Sequence, residues 1–175
     1  MFKTILLATD GSDHATKAAA IAADLAARYD ARLVIVTVLS RTMTLETVES
    51  TPQARRLSRA SKAQIRKIHE YVAVGRKAGT EVEAFVPALP SLVNELGELI
   101  LDDAEAIAAR KKVERVTRVT GHGDVAGEIL KQAEKLKADL IVMGTRGLSD
   151  LRGLLVGSIS HKIIHHAKCP CLTVK

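Results

Sequence analysis

Tryptophan is missing from this chain of 175 residues, and other aromatic side chains are scarce, with two Phe and two Tyr. That scarcity counts against single-stranded nucleic acid as a partner, because its binders stack bases on aromatic platforms. The formal charge of +6 is a moderate basic excess that would by itself permit a nucleic-acid contact. Long hydrophobic runs are also missing. The longest, such as residues 33–39, fall far short of the roughly 20 residues that span a bilayer. The chain opens on a strand-like segment, with no small-residue cleavage site after an apolar stretch, so a cytoplasmic protein is expected. The two cysteines, Cys169 and Cys171, stand too close along one strand for an easy disulfide and are expected as reduced thiols. There are no internal repeats and no low-complexity tracts.

What remains is an ordinary globular balance, 47% hydrophobic and 26% charged, at a length that suits one domain around one core. Residues 2–9 (FKTILLAT) form a nearly continuous apolar run, the pattern of a strand buried on both faces. Ser12 or Asp13 can cap the helix that follows, in which Ala15, Ala18, Ala19, Ala22, Leu25 and Ala26 recur at helical spacing. Residues 33–39 (LVIVTVL) make a second buried strand, completing a βαβ unit that calls for a parallel, right-handed crossover. The rhythm returns later: a strand at 113–120, a helix at 124–137, a strand at 139–143, a helix at 158–167 and a strand at 171–174. Such alternation predicts a doubly wound α/β fold.

The middle is less regular. Ala54, Leu57, Ser61, Ile65, Ile68 and Val72 fit a 3.6-residue period, which predicts one long amphipathic helix over 53–78. Its outer face carries Arg55, Arg56, Arg59, Lys62, Arg66 and Lys67, either a solvated face or a contact for an acidic partner or anionic membrane surface. Ser91 is expected to cap a further helix running to about residue 110.

The stretch Met143-Gly144-Thr145-Arg146-Gly147, continuing to Gly157-Ser158-Ile159, begins at the C-terminal end of a buried strand and closes on a helix start. Ligands of open α/β sheets bind at that edge, where strand order reverses. Gly144 and Gly147 allow the backbone to approach a ligand with no Cβ in the way. Gly157 and Ser158 sit at a helix N-terminus, where free N–H groups and the helix dipole favour an anion. Ser158 adds a hydroxyl donor and Arg146 a cationic one. The residue types suit a polyphosphate, although a tight turn and a helix cap would use the same glycines.

The pattern Gly144-x2-Gly147-x9-Gly157-Ser158 resembles the ATP-binding signature of the universal stress protein family, matching its spacing at every fixed position. Residues 3–12 resemble the family's opening strand and turn, 139–144 its fourth strand, and 164–174 its closing helix and strand. The resemblance implies an open five-stranded parallel sheet of order 3-2-1-4-5 with helices on both faces, of the adenine-nucleotide α-hydrolase-like type. It also implies, as usual in the family, a homodimer. Signature-bearing members bind ATP, which would bring any Mg²⁺ through its phosphates. Carried over by position, Ala8, Thr9 and Asp10 would line the adenosine end, with Asp10 bonding ribose or base. Backbone groups at Val38 would read the adenine edge. Met143 and Gly144 would flank the ribose, and Gly147, Gly157, Ser158 and Ile159 would hold the phosphates. One departure stands out: residues 41–90 form a connection after the second strand that is longer than expected, suited to a lid, an extra dimer contact or a docking surface.

Other patterns carry less. Gly121-His122-Gly123-Asp124-Val125-Ala126 fits G-x-G-x-x-A, but Met143 occupies the strand end where a dinucleotide site needs an acid. No G-x-x-x-x-G-K-[ST] occurs. His161 and His165 are four apart, but no Glu follows His161, and no metal site is expected. No catalytic set emerges near the glycines, where Asp10 is the obvious carboxylate. The expectation is an ATP-dependent regulatory dimer with an unidentified protein partner. A slow ATPase, or a scaffold docking an acidic partner, nucleic acid or membrane through its basic helix, is the alternative.

Overall fold

A computed structural model describes residues 2–40, 43–77, 89–148 and 157–175. Strand β1 (Thr4–Ala8) is buried along its whole length, as its apolar run requires. Helix α1 (Asp13–Tyr29) follows, and the Ser12 hydroxyl accepts from the Ala15 amide at 3.3 Å to cap it. Its buried face is alanine throughout, Ala15, Ala18, Ala19, Ala22, Ala23 and Ala26, which lets the helix lie close on the sheet. Strand β2 (Arg32–Leu39) returns parallel to β1, pairing Thr4 with Arg32 and Ala8 with Val36.

After β2 come α2 (Leu45–Ser50), a 3₁₀ turn (Pro52–Arg56), α3 (Arg59–Lys77) and α4 (Pro90–Arg110). The chain then alternates through β3 (Val116–His122), α5 (Val125–Lys135), β4 (Leu140–Gly144), α6 (Ser158–His166) and β5 (Cys171–Val174). All neighbouring strands run parallel in the order β3-β2-β1-β4-β5, as the resemblance implied. Ile5, Leu7, Leu33, Ile35 and Val142 face α1 and α4 on one side of the sheet. Leu6, Val34, Val36, Ile141 and Met143 face α5 and α6 on the other. None of the helices among the described residues is long and apolar enough to cross a membrane.

Three expectations are corrected. The single helix over 53–78 is instead a 3₁₀ turn and a separate α3, preceded by α2, which the sequence reading had not anticipated. Leu57 explains the break: its backbone is extended (φ −54°, ψ 146°), and its side chain is buried with Leu45, Val48, Leu92 and Leu96. Burying that side chain is worth about 1.5–3 kcal/mol. Ser58 then restarts the helix, its hydroxyl accepting from the Ser61 amide at 3.2 Å. Arg56 stays exposed, as expected of the basic outer face, and bonds Asp103 on α4. Ser91 is not a cap, because α4 begins at Pro90, whose fixed φ suits a first helical position. The third strand runs later than residues 113–120: Lys112 takes a left-handed conformation (φ 58°) that turns Val113 into the core before β3 starts.

Glu95 on α4 ties the start of α3 to the body. Its carboxylate accepts from the Ser61 hydroxyl, from the Ser58 amide, and from the Ser58 hydroxyl at 3.1 Å. The Ser61 bond, ahead of those from Ser58 and against partial burial, holds this carboxyl below the usual glutamate range. The folded pKa is therefore lower than the unfolded one. The stabilisation is complete above the ordinary value of about 4.3 and is lost as pH falls through the folded one. Glu95→Gln should lower the urea midpoint at pH 7, and the gap to wild type should shrink as both are titrated below pH 4. A gap independent of pH would remove the charged clamp.

Candidate nucleotide-binding cleft

The C-terminal ends of β1 and β4 lie side by side, and the chain leaves them in opposite directions, toward β2 and toward β5. A crevice must open where strand order reverses in this way. Here it is a cleft of about 390 Å³, within the usual range for small-molecule sites. Its walls come from the β1 end (Ala8, Thr9, Asp10), from β2 (Val38), from the β4 end and its loop (Met143, Gly144, Arg146, Gly147), and from the start of α6 (Gly157, Ser158, Ile159). All eleven residues singled out in the sequence are thus brought to one cavity.

Thr145 holds these walls in place, although it is only an unspecified position in the glycine pattern. It is 4% exposed. Its amide donates to the Val174 carbonyl at 2.8 Å, while its own carbonyl accepts from the Gly157 amide at 2.8 Å and from the Ser160 hydroxyl at 2.9 Å. The Thr145 hydroxyl donates to the Val174 carbonyl at 3.3 Å and so accepts from Nδ1–H of His14, 3.1 Å away. One residue thereby joins β4 to β5, α1 and α6.

Asp10 makes a second tie. One carboxylate oxygen accepts from the Ser12 amide at 3.0 Å and the other from the Leu148 amide at 2.9 Å. The Asp-Gly turn after β1 is therefore pinned to the loop after β4. Gly11 takes the left-handed conformation (φ 78°) that this turn requires.

The glycines serve the protein as much as any guest. A Cβ on Gly144 would lie 2.9 Å from the Cβ of His14 and 3.0 Å from the Ala15 amide nitrogen. It would strike α1, so the expectation that its missing side chain clears ligand space is corrected. A Cβ on Gly147 would overlap the Asp10 carboxylate. Gly157 is the N-cap of α6 and offers no side-chain cap bond, so the first-turn amides lack intrahelical partners at the cleft wall.

The sequence reading also missed Val36, Met43, Thr47, Val125, Ile129 and Ile163, which line the same cavity. The apolar ones differ in no way from core residues in the sequence. Met43 and Thr47 belong to the segment after β2, whose course it did not resolve. Among the described lining residues Asp10 is the one carboxylate and Arg146 the one cation.

The remaining patterns resolve as structure. Gly123 (φ 104°) turns the chain from β3 into α5, and Asp124 caps α5 by accepting from the Gly127 amide at 3.0 Å. The His161 and His165 rings lie 4.7 Å apart on the exposed face of α6. Among the described residues no group of three or more His, Cys, Asp or Glu is placed to hold a metal ion. Cys169 and Cys171 are free and half-buried, and burial pushes both thiols up from their ordinary value.

Gly144→Ala should destabilise the protein by about 1–3 kcal/mol, since the added methyl meets helix backbone that cannot move aside cheaply. Urea unfolding checks this, and an unchanged midpoint would mean that α1 does not pack as described.

A model of the universal stress protein family matches residues 1–175. A universal stress protein of Thermus aquaticus is 36% identical over 175 residues, with 100% of both chains covered. One of Bacillus subtilis is 33% identical over 175 residues, again with 100% of both covered. Among solved structures, a universal stress protein in complex with cAMP matches with a TM-score of 0.61 at 25% identity, covering 99% of this chain and 97% of that one. The universal stress protein from Archaeoglobus fulgidus in complex with dAMP shares the fold, with a TM-score of 0.59 at 17% identity over 100% of this chain and 98% of that one. Agreement of this extent, over the whole chain and from several directions, places the protein in the universal stress protein family.

Proposed function

We propose that this protein binds ATP in the cleft between β1 and β4 and acts as a nucleotide-dependent regulatory dimer in the cytoplasm. The observation that carries the reading is the joining of two unlike ends in one cavity. Gly147, Arg146 and the uncapped start of α6 supply backbone amides and one cation, the chemistry that holds phosphates. Val36, Val38, Val125 and Ile129 supply an apolar end that suits a purine. Relatives of this fold have been solved with cAMP and with dAMP, so an adenine nucleotide is the class of ligand to expect. The extra phosphates that distinguish ATP from those ligands would lie on Gly147, Gly157, Ser158 and Ile159, and Mg²⁺ would come with them.

The polar inventory supports binding more than fast turnover. Asp10, the one carboxylate on the described walls, already accepts from two amides. It therefore orients the turn and offers its remaining lone pairs to a ribose. No second acid or base stands beside it on the described walls to activate a water. For a dimer, the support is that β5 closes the sheet order and pairs only with β4 among the described residues, which leaves an edge that another copy could pair with.

Calorimetry with ATP, AMP, cAMP and adenosine tests the reading, and ATP should bind most tightly. Ser158→Asp keeps the helix start favourable but sets a carboxylate against the phosphates. It should weaken ATP by about ten- to a hundredfold while leaving adenosine nearly unchanged. Equal loss for both, or no ATP binding by wild type, would reject the phosphate assignment.

A further inference from the structure

We propose that the segment inserted after β2 reads the base of the bound nucleotide, with Met43 and Thr47 as the residues in contact with it. The inference rests on the nucleotide reading above and adds which part of the ligand the insert recognises.

The sheet order sets the geometry. The glycine loop follows β4, and β4 is separated from β2 by β1 alone. Two strand spacings put the β2 end about 9.6 Å from the β4 end. A nucleotide whose phosphates rest on the glycine loop therefore extends its base toward β2. At that end Met43, just ahead of α2, and Thr47 within α2 both line the cleft together with Val38. Helices α5 and α6 pack on one face of the sheet. The insert packs with α4, which covers the other face. A base at this end thus has Val125 and Ile129 on one side and Met43 and Thr47 on the other.

The insert is a fixed wall and not a lid. Leu45 and Val48 of α2 are buried in a cluster with Leu92, Leu96 and Ile100 of α4, so Met43 and Thr47 are presented from an anchored platform. The Thr44 hydroxyl accepts from the Thr47 amide at 3.1 Å and shares a 2.8 Å bond with the Thr47 hydroxyl. Either hydroxyl can donate in that pair, so Thr47 can turn toward a donor or an acceptor on the base edge. Further along, buried Gln53 donates to Asp103 at 2.9 Å. Its carbonyl oxygen, which has no hydrogen-bond partner, packs where a Cβ on Gly11 would lie. The insert therefore grips the turn after β1 as well as the base end.

The test is calorimetry on the full chain with ATP, adenosine and inorganic tripolyphosphate. Met43→Ala should weaken ATP and adenosine by the same factor, about tenfold, and leave tripolyphosphate unchanged. Met43→Leu should restore most of the loss, and Thr47→Val should weaken adenosine in the same selective way. A second readout needs no variant: in wild type, ATP and adenosine should slow amide hydrogen exchange in Leu45–Ser50, and tripolyphosphate should not. ATP and adenosine affinities unaffected by Met43→Ala and Thr47→Val, with no exchange protection, would overturn the proposal and leave the nucleotide reading standing. Equal weakening of all three ligands would also overturn it, by showing a general distortion. Failure of wild type to bind any of them would remove both readings together.

Discussion

At the end of β4, Thr145 donates and accepts through every polar group it has. Its amide and hydroxyl go to the Val174 carbonyl of β5, its carbonyl takes the amide of Gly157 and the hydroxyl of Ser160, and its hydroxyl meets His14 of α1. The side-chain bonds to Val174 and Ser160 are buried and the one to His14 half-buried, and an unpaired member of such a network costs far more than a net hydrogen bond contributes. The position of the α6 start relative to β4 is set in this way. The cleft wall formed by Gly157, Ser158 and Ile159 depends on it, because the residues that join the two ends of the loop lie far apart in sequence.

Asp10 extends the same constraint across the crevice. A carboxylate at the end of β1 takes the Leu148 amide from the loop after β4, so both lips of the cleft belong to one hydrogen-bonded unit. Gly144 and Gly147 fit this unit because His14, Ala15 and Asp10 occupy the places their side chains would fill. A pocket preorganised in this way loses little ordering entropy when a guest arrives. The segment after β2 packs against it through Gln53 beside Gly11 and through the apolar cluster that seats α2 on α4.

Much of the fold was legible because buried parallel strands and an alanine-faced helix have distinctive periods. The runs TILLA and RLVIVTVL have no other economical home than the middle of a covered sheet. Of the site, the glycine pattern and Asp10 were legible because their residue types are unusual at a strand end. Thr145, Met43 and Thr47 were not. A threonine inside a loop and two residues in an irregular connection have no periodicity or rare chemistry to mark them. The break at Leu57 was hidden for a related reason: Ala54, Leu57, Ser61 and Ile65 keep helical spacing through it, and only the demand to bury Leu57 against α4 reveals that the helix stops.

Outside the segment after β2, local pattern decided most of the strands and helices, that the sheet is doubly wound, and that a glycine-rich turn ends a buried strand, since each depends on neighbours within a few turns of chain. Tertiary structure alone decided what the glycines clear, which hydroxyl knots the loop together, and where the segment after β2 comes to rest. The first two depend on groups more than a hundred residues apart, such as His14 with Thr145 and Asp10 with Leu148, and the third on contacts of α2 with α4. Their meeting follows from the packing of whole elements, which no short window of sequence contains.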